Sequence, residues 1–175
     1  MAKGDVLPSE KREFTQPETG VRVVQLTDAP CRNTNAYYND EQFAADGGTY
    51  VFRSNRTGER QLFSVDTSSG RIVQLTEAPG DGVGGWSVHA ETRRVFFGDG
   101  QGHLARLDLD TLTQEIVAEP LQGCAGLTGL DLSWCGRFAA VSTRPNDARI
   151  ARWPGYHFRH GTETMALVCD FEKGT

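Results

Sequence analysis

The 175 residues contain no apolar stretch long enough for a membrane span and no segment whose apolar residues recur at a convincing helical period. A membrane-embedded role is therefore not expected, nor is a fold built on helices. The opening Met1-Ala2-Lys3-Gly4-Asp5 is polar and lacks the apolar core of a secretion signal. Cys31, Cys124, Cys135 and Cys169 are scattered, with no CxxC pair and no disulfide-dense spacing, so they read as reduced thiols and point to the cytoplasm. The formal net charge of −5 lacks the basic footprint that nucleic-acid binding requires. Missing too are GxSxG, a Cys-His pair at a usable spacing, and any signature of paired catalytic carboxylates. No catalytic residue and no metal ligand is assigned within this chain.

What the chain does contain is a repeat. Val23-Val24-Gln25-Leu26-Thr27-Asp28-Ala29-Pro30 returns 49 residues later as Ile72-Val73-Gln74-Leu75-Thr76-Glu77-Ala78-Pro79. Self-similarity at this period marks stacked β units, of which the four-stranded propeller blade is the commonest. Twenty glycines, many at turn positions between short alternating runs, agree with that reading. The spacing predicts an all-β fold, a β-propeller of four-stranded blades with about three blades present, truncated before ring closure.

The expected organisation begins with an extended arm over 1–20 and a strand of closing, outermost type at 21–27. Blade 1 follows over 37–76, with its inner strand at 37–44, and blade 2 over 84–118. An incomplete blade 3 occupies 127–175. Asp66 and Asp108 end equivalent third strands 42 residues apart, whereas Asp170 comes 62 residues after Asp108. The excess is an insertion at 143–164 carrying arginines, aromatics and the HxxH pair His157 and His160. Two histidines without neighbouring acidic ligands or a third histidine read as loop residues rather than a metal centre. His103 reads as facing solvent or packing on a blade, and His89 as structural. The glycine-rich 80–85 segment leads into a strand and lacks the Lys-Ser/Thr of a phosphate loop.

Arginines offer the better lead. Loops entering the inner strands and loops joining second to third strands share one face of a propeller. That places Arg32, Asn33, Asn35 and Tyr37 beside Arg53 and Arg56. Guanidinium groups bind carboxylates through paired hydrogen bonds, and aromatic rings stack on sugar faces. These six residues are the candidate substrate-binding set, and an acidic oligosaccharide suits them. The competing assignment for Arg56 and for Arg60 is an ordinary turn residue paired with Glu59 or Asp66.

The run Gln42-Phe43-Ala44-Ala45-Asp46-Gly47 through Val51-Phe52-Arg53-Ser54-Asn55-Arg56-Thr57-Gly58 resembles the oligogalacturonate lyase family. So do Gln61-Leu62-Phe63-Ser64-Val65-Asp66, the opening Met1-Ala2-Lys3-Gly4, Thr19 to Thr27, and the segment Leu107 to Leu112. The resemblance covers nearly the whole chain. It implies a seven-bladed cytoplasmic propeller that cleaves short galacturonides by β-elimination in pectin catabolism. It also implies a divalent metal resembling manganese, held by later blades that also supply the base. Relatives often carry His-Arg-Asn entering the first blade, where this chain has Cys31-Arg32-Asn33, so no family residue is carried across as catalytic. The blade motif is shared with Tol-type and peptidase-associated propellers, which makes a binding module the alternative. Blades with uncovered edges are expected to be poorly stable, self-associating and inert by themselves.

Overall fold

The computed structural model describes residues 1–146 and 164–172. Alternation decides the strands. Val51 and Phe52 in β5 (Thr49–Ser54), and Leu62 and Phe63 in β6 (Gln61–Asp66), are adjacent apolar residues that point to opposite faces of one sheet. Both faces are therefore buried. β5 and β6 pair antiparallel, with β7 (Ile72–Gln74) beyond β6 and β4 (Asn33–Thr34) on the inner side of β5.

The next sheet repeats the meander: β8 (Trp86–His89), β9 (Arg94–Gly98), β10 (Leu104–Asp108) and β11 (Gln114–Ala118) in that spatial order. A third sheet consists of β12 (Thr128–Leu132), β13 (Phe138–Thr143) and β14 (Met165–Asp170). Each sheet is one blade, and the core lies between blades. Val51 and Leu62 of blade 1 pack on Trp86, Val95 and Phe97 of blade 2. Phe96 and Leu104, on blade 2's other face, meet Ala139, Val141 and Cys169 of blade 3.

Turn chemistry explains the repeated residues. Asp66 Oδ1 accepts from the backbone N–H groups of Ser68 and Ser69, and Asp108 Oδ1 from those of Asp110 and Thr111. Asp170 Oδ1 accepts from Glu172 N in the same way. The side-chain and backbone donors of Ser68 and Ser69 hold the Asp66 carboxyl far below its ordinary range. The 42-residue spacing thus marks a capped turn between third and fourth strands. Gly70 closes it in blade 1 at φ +74°, whereas Leu112 takes the equivalent left-handed place in blade 2 at φ 57°.

The repeated Val-Gln-Leu-Thr has an equally local cause. Gln74 Nε2 donates to the Thr76 carbonyl at 2.8 Å, and Gln25 Nε2 to the Thr27 carbonyl at 2.9 Å. In blade 1 the bond joins a buried network. Gln61 Oε1 accepts from Thr76 Oγ1 (2.7 Å) and Ala78 N (2.8 Å), while Gln61 Nε2 donates to the Ala78 carbonyl. Gln61→Leu would strand all three partners inside the blade. The expected loss is about 2 kcal/mol, read as a lower urea midpoint with an unchanged m-value.

Three expectations are corrected. The extended arm expected over 1–20 is built into the sheets: β1 (Val6–Leu7) adds a fifth strand outside β7, and β2 (Arg12–Thr15) pairs with β3 (Arg22–Gln25) as a hairpin. β2 is also the only ladder partner of β3 among the described residues, so the 21–27 strand is not seen at a blade's outer edge. Finally, the first inner strand lies earlier than 37–44. β4 pairs with Arg53 and Ser54, the chain then loops out, and Phe43 returns as an isolated bridge to Tyr50. Gln42 causes the excursion, because its Oε1 accepts from Ala36 N at 2.9 Å and closes the loop across its base.

Candidate functional site

In a four-stranded meander the turns between second and third strands lie at the same end as the exit from the fourth. Three cavities lie toward that end and the inner strands. One of about 640 Å³ is bordered by Arg60 and Gly82 of blade 1, Gly98 and Gly102 of blade 2, and Thr128 and Arg144 of blade 3. A second, about 510 Å³, lies among the inner strands, with Asn35, Tyr37, Asp40, Arg53 and Trp86 in its wall. A third of about 210 Å³ collects Arg32, Thr34, Arg53, Asn55 and Arg60.

Half of the described arginines are ion-paired; Arg71 and Arg94 pair with no described residue, and neither do four at the cavity end. Arg12, Arg22, Arg56, Arg93, Arg106 and Arg137 each meet a carboxylate. Arg32, Arg53, Arg60 and Arg144, all at the cavity end, form no ion pair among the described residues. Arg53 is anchored instead by the carbonyls of Gly84 (2.8 Å) and Val83 (3.3 Å), and its guanidinium stacks 5.0 Å above the Trp86 ring. Arg60 Nε donates to the Asp81 carbonyl at 2.8 Å. Burial, and then the charges of Arg60 and Arg32, pull the Arg53 pKa below its ordinary value. The site therefore holds clustered positive charge, with Arg53 and Arg60 braced by neutral carbonyls and with Asp81 and Asp40 in the walls of the two larger cavities.

The sequence-derived set divides. Arg32 and Arg53 share the smallest of these three cavities, and Asn35 and Tyr37 stand with Arg53 in the channel cavity. Tyr37 is exposed and its ring lies 4.3 Å from that of Tyr38. Asn33 faces inward, its Oδ1 accepting from Arg56 Nη2 at 3.2 Å. Arg56 must be corrected, because it has no free edge to offer a ligand. Its side chain is 5% exposed, its Nη1 pairs with Glu10 Oε1 at 2.9 Å, its Nε donates to Ser54 Oγ, and its plane lies over Phe52 and Phe63. Nor does it pair with Glu59 or Asp66. Its partner is Glu10, 46 residues away, in the segment expected to be an extended arm.

Sequence reasoning undervalued Arg60 and missed the channel carboxylate Asp40. Burial, and then the charge of Asp131, push the Asp40 carboxyl above its ordinary range. His89 is structural as expected: its Nδ1 meets Thr92 Oγ1 at 2.8 Å and its Nε2 the Trp134 carbonyl at 3.2 Å, tying blade 2 to blade 3. His157, His160 and the insertion's residues from 147 to 163 lie outside the described residues. Among the described residues no three His, Cys, Asp or Glu side chains converge, so those residues do not fit a divalent-metal centre.

Comparison with known proteins completes the picture. A curated oligogalacturonate lyase of Dickeya dadantii (strain 3937) is 25% identical over 150 residues, which is 84% of this chain and 38% of that protein. The crystal structure of an oligogalacturonate lyase from Vibrio parahaemolyticus superposes with a TM-score of 0.84 at 20% identity, covering 99% of this chain and 47% of that one. An oligogalacturonate lyase in complex with manganese gives the same TM-score and identity, with 48% of its length covered. TolB from Acinetobacter baumannii follows at a TM-score of 0.60 and 16% identity. The chain thus spans less than half the length of the lyases it matches, and its all-β sheets are those of their propeller fold. The family description "oligogalacturonate lyase" matches residues 1–164, nearly the whole sequence, and the chain belongs to the oligogalacturonate lyase family.

Proposed function

We propose that this chain supplies the first blades of an oligogalacturonate lyase, which opens short galacturonate chains by β-elimination, and that its arginine end receives the substrate's carboxylates. The observation that carries the reading is the cluster of Arg32, Arg53, Arg60 and Arg144, drawn from blades 1 and 3 to one end and outside every ion pair found among the described residues. A polyuronate presents one carboxylate per sugar, so a spread of guanidinium groups matches its charge repeat. Asn35 and Tyr37, beside Arg53, offer an amide and an aromatic face to sugar hydroxyls and ring faces. Asn33 acts through Arg56 rather than on the ligand.

The relative solved with manganese supports a divalent metal for the reaction. Such an ion polarises the carboxylate beside the acidic C5–H, and later blades beyond this chain would hold it. The described residues bind and orient substrate.

The test is an ultraviolet assay for unsaturated product, using the longest reading frame that contains this chain, digalacturonate and manganese. Turnover is expected, and Arg53→Ala or Arg60→Ala should raise KM about tenfold, the loss of one charge-assisted hydrogen bond. A folded protein that yields no absorbance, or arginine variants with unaltered KM, would overturn the reading.

A further inference from the structure

The turn between β9 and β10 carries an Asp–His pair that the binding site described above does not use. Asp99 is buried, its side chain only 8% exposed. Its Oδ1 accepts from Gln101 N at 2.8 Å and His103 N at 3.1 Å, and its Oδ2 lies 2.8 Å from His103 Nδ1. A carboxylate at this contact can only accept, so Nδ1 carries a ring proton, and in the neutral imidazole Nε2 is then the acceptor. No described residue bonds to Nε2. The imidazole is thus held in one tautomer with its acceptor atom free.

His103 borders a cleft of about 100 Å³ between blades 2 and 3. The cleft shares Gly84, Gly98 and Thr128 with the Arg60–Arg144 cavity, and Gly85, Gly129 and Leu130 with the channel cavity of Arg53. It therefore joins the two larger cavities. Its volume is that of about three waters, room for the edge of a sugar ring but not for the ring itself.

Glycine at the junction is not explained by packing. Gly85 has no positive φ, and a Cβ built on it meets nothing within 4 Å. At Gly84 the added atom would make only ordinary contacts, 3.8 Å from the Gly98 carbonyl oxygen. The fold tolerates side chains at both positions, and their absence keeps the wall open where backbone faces the cleft.

We propose that His103 Nε2 accepts a hydrogen bond from a hydroxyl of a galacturonide lying across this cleft, with Asp99 as the positioning residue that fixes the tautomer. This rests on the oligogalacturonide reading given above. Gly84 and Gly85 give the sugar edge its approach, and the arginines on either side hold the carboxylates of neighbouring units. His103 contributes orientation, where the arginines contribute charge.

The experiment is a titration of the full-length protein with digalacturonate, following the ¹⁵N resonances of the His103 imidazole together with calorimetric affinity. Before ligand, Nδ1 should report as protonated and Nε2 as the bare nitrogen; on saturation Nε2 should move upfield. His103→Ala should weaken binding about fivefold, the value of one neutral hydrogen bond. His103→Gln, which keeps an acceptor at similar reach, should recover part of the loss. Gly85→Val should weaken binding at least as much with no change in melting temperature. If digalacturonate binds and Arg53→Ala weakens it, yet Nε2 stays still and His103→Ala binds like the parent, this proposal falls and the lyase reading stands. If no galacturonide binds the folded protein, both fall.

Discussion

Arg56→Ala is expected to destabilise the protein by about 3 kcal/mol or more, because it removes one partner from a buried ion pair. Glu10, its side chain 18% exposed, would keep its two backbone donors, Asp28 N at 2.7 Å and Ala29 N at 3.0 Å, but lose the guanidinium it pairs with. The rings of Phe52 and Phe63 would lose the guanidinium that covers them. The loss should spread, since Glu10 follows β1 and precedes β2, and the clasp helps hold that segment on blade 1. Urea unfolding should show a lower midpoint, and proteolysis should first cut within 1–30.

Acid provides an independent check. Burial opposes ionisation of Glu10, but the Asp28 and Ala29 N–H groups and Arg56 outweigh it and hold its pKa below the ordinary carboxylate value. A depressed carboxyl stabilises the fold at pH above its unfolded value, and that contribution fades as pH falls through the folded one. The parent should therefore lose more stability on acidification than Arg56→Ala. Equal acid sensitivity, or a loss under 1 kcal/mol in the alanine variant, would show that the clasp is incidental.

The clasp also shows what a single sequence leaves unread. The second to fourth strands of blade 1 and the strands of blade 2 were legible because alternation and capped turns are local. The Asp66 and Asp108 turns and the Gln25 and Gln74 bonds each close within three residues, so the repeat and its chemistry coincide. What depended on distant partners was not legible. β1 is two residues long, and its place is set by Val73 and Ile72, more than sixty positions on. Arg56 looks like a turn arginine until Glu10 is placed beside it. Arg32 and Arg53 could be read as an acid-binding pair because the blade grammar puts their loops at one end. Asp99 and His103 were readable in principle, since an Asp four residues before a His across a two-glycine turn can fold back onto it. Whether Nε2 then faces a cleft depends on blade 3, which the local sequence does not reveal.

The second large effect is expected at a seam between blades 2 and 3 in the wall of the Arg60–Arg144 cavity. Gly102 and Gly126 bring two blades together backbone to backbone, and Leu127 N donates to the Gly102 carbonyl at 2.7 Å. A Cβ on Gly102 would sit 2.5 Å from Gly126 Cα, and Gly102 also has φ +97°, a conformation L side chains rarely adopt. Gly102→Ala therefore combines backbone strain with a clash that no side chain can relieve, and about 3 kcal/mol or more is expected. Gly126→Ala isolates the clash, since its own φ is unstrained and its Cβ would strike Gly102 Cα directly. It should cost about 2 kcal/mol. The double variant should lose less than the sum, because blades already pushed apart by one methyl accommodate the second more easily. Thermal unfolding of the three variants gives the cycle. Full additivity would mean that the two glycines are needed for separate local reasons. A shortfall would place them in one contact, the point where blade 3 meets blade 2 in the wall of the Arg60–Arg144 cavity.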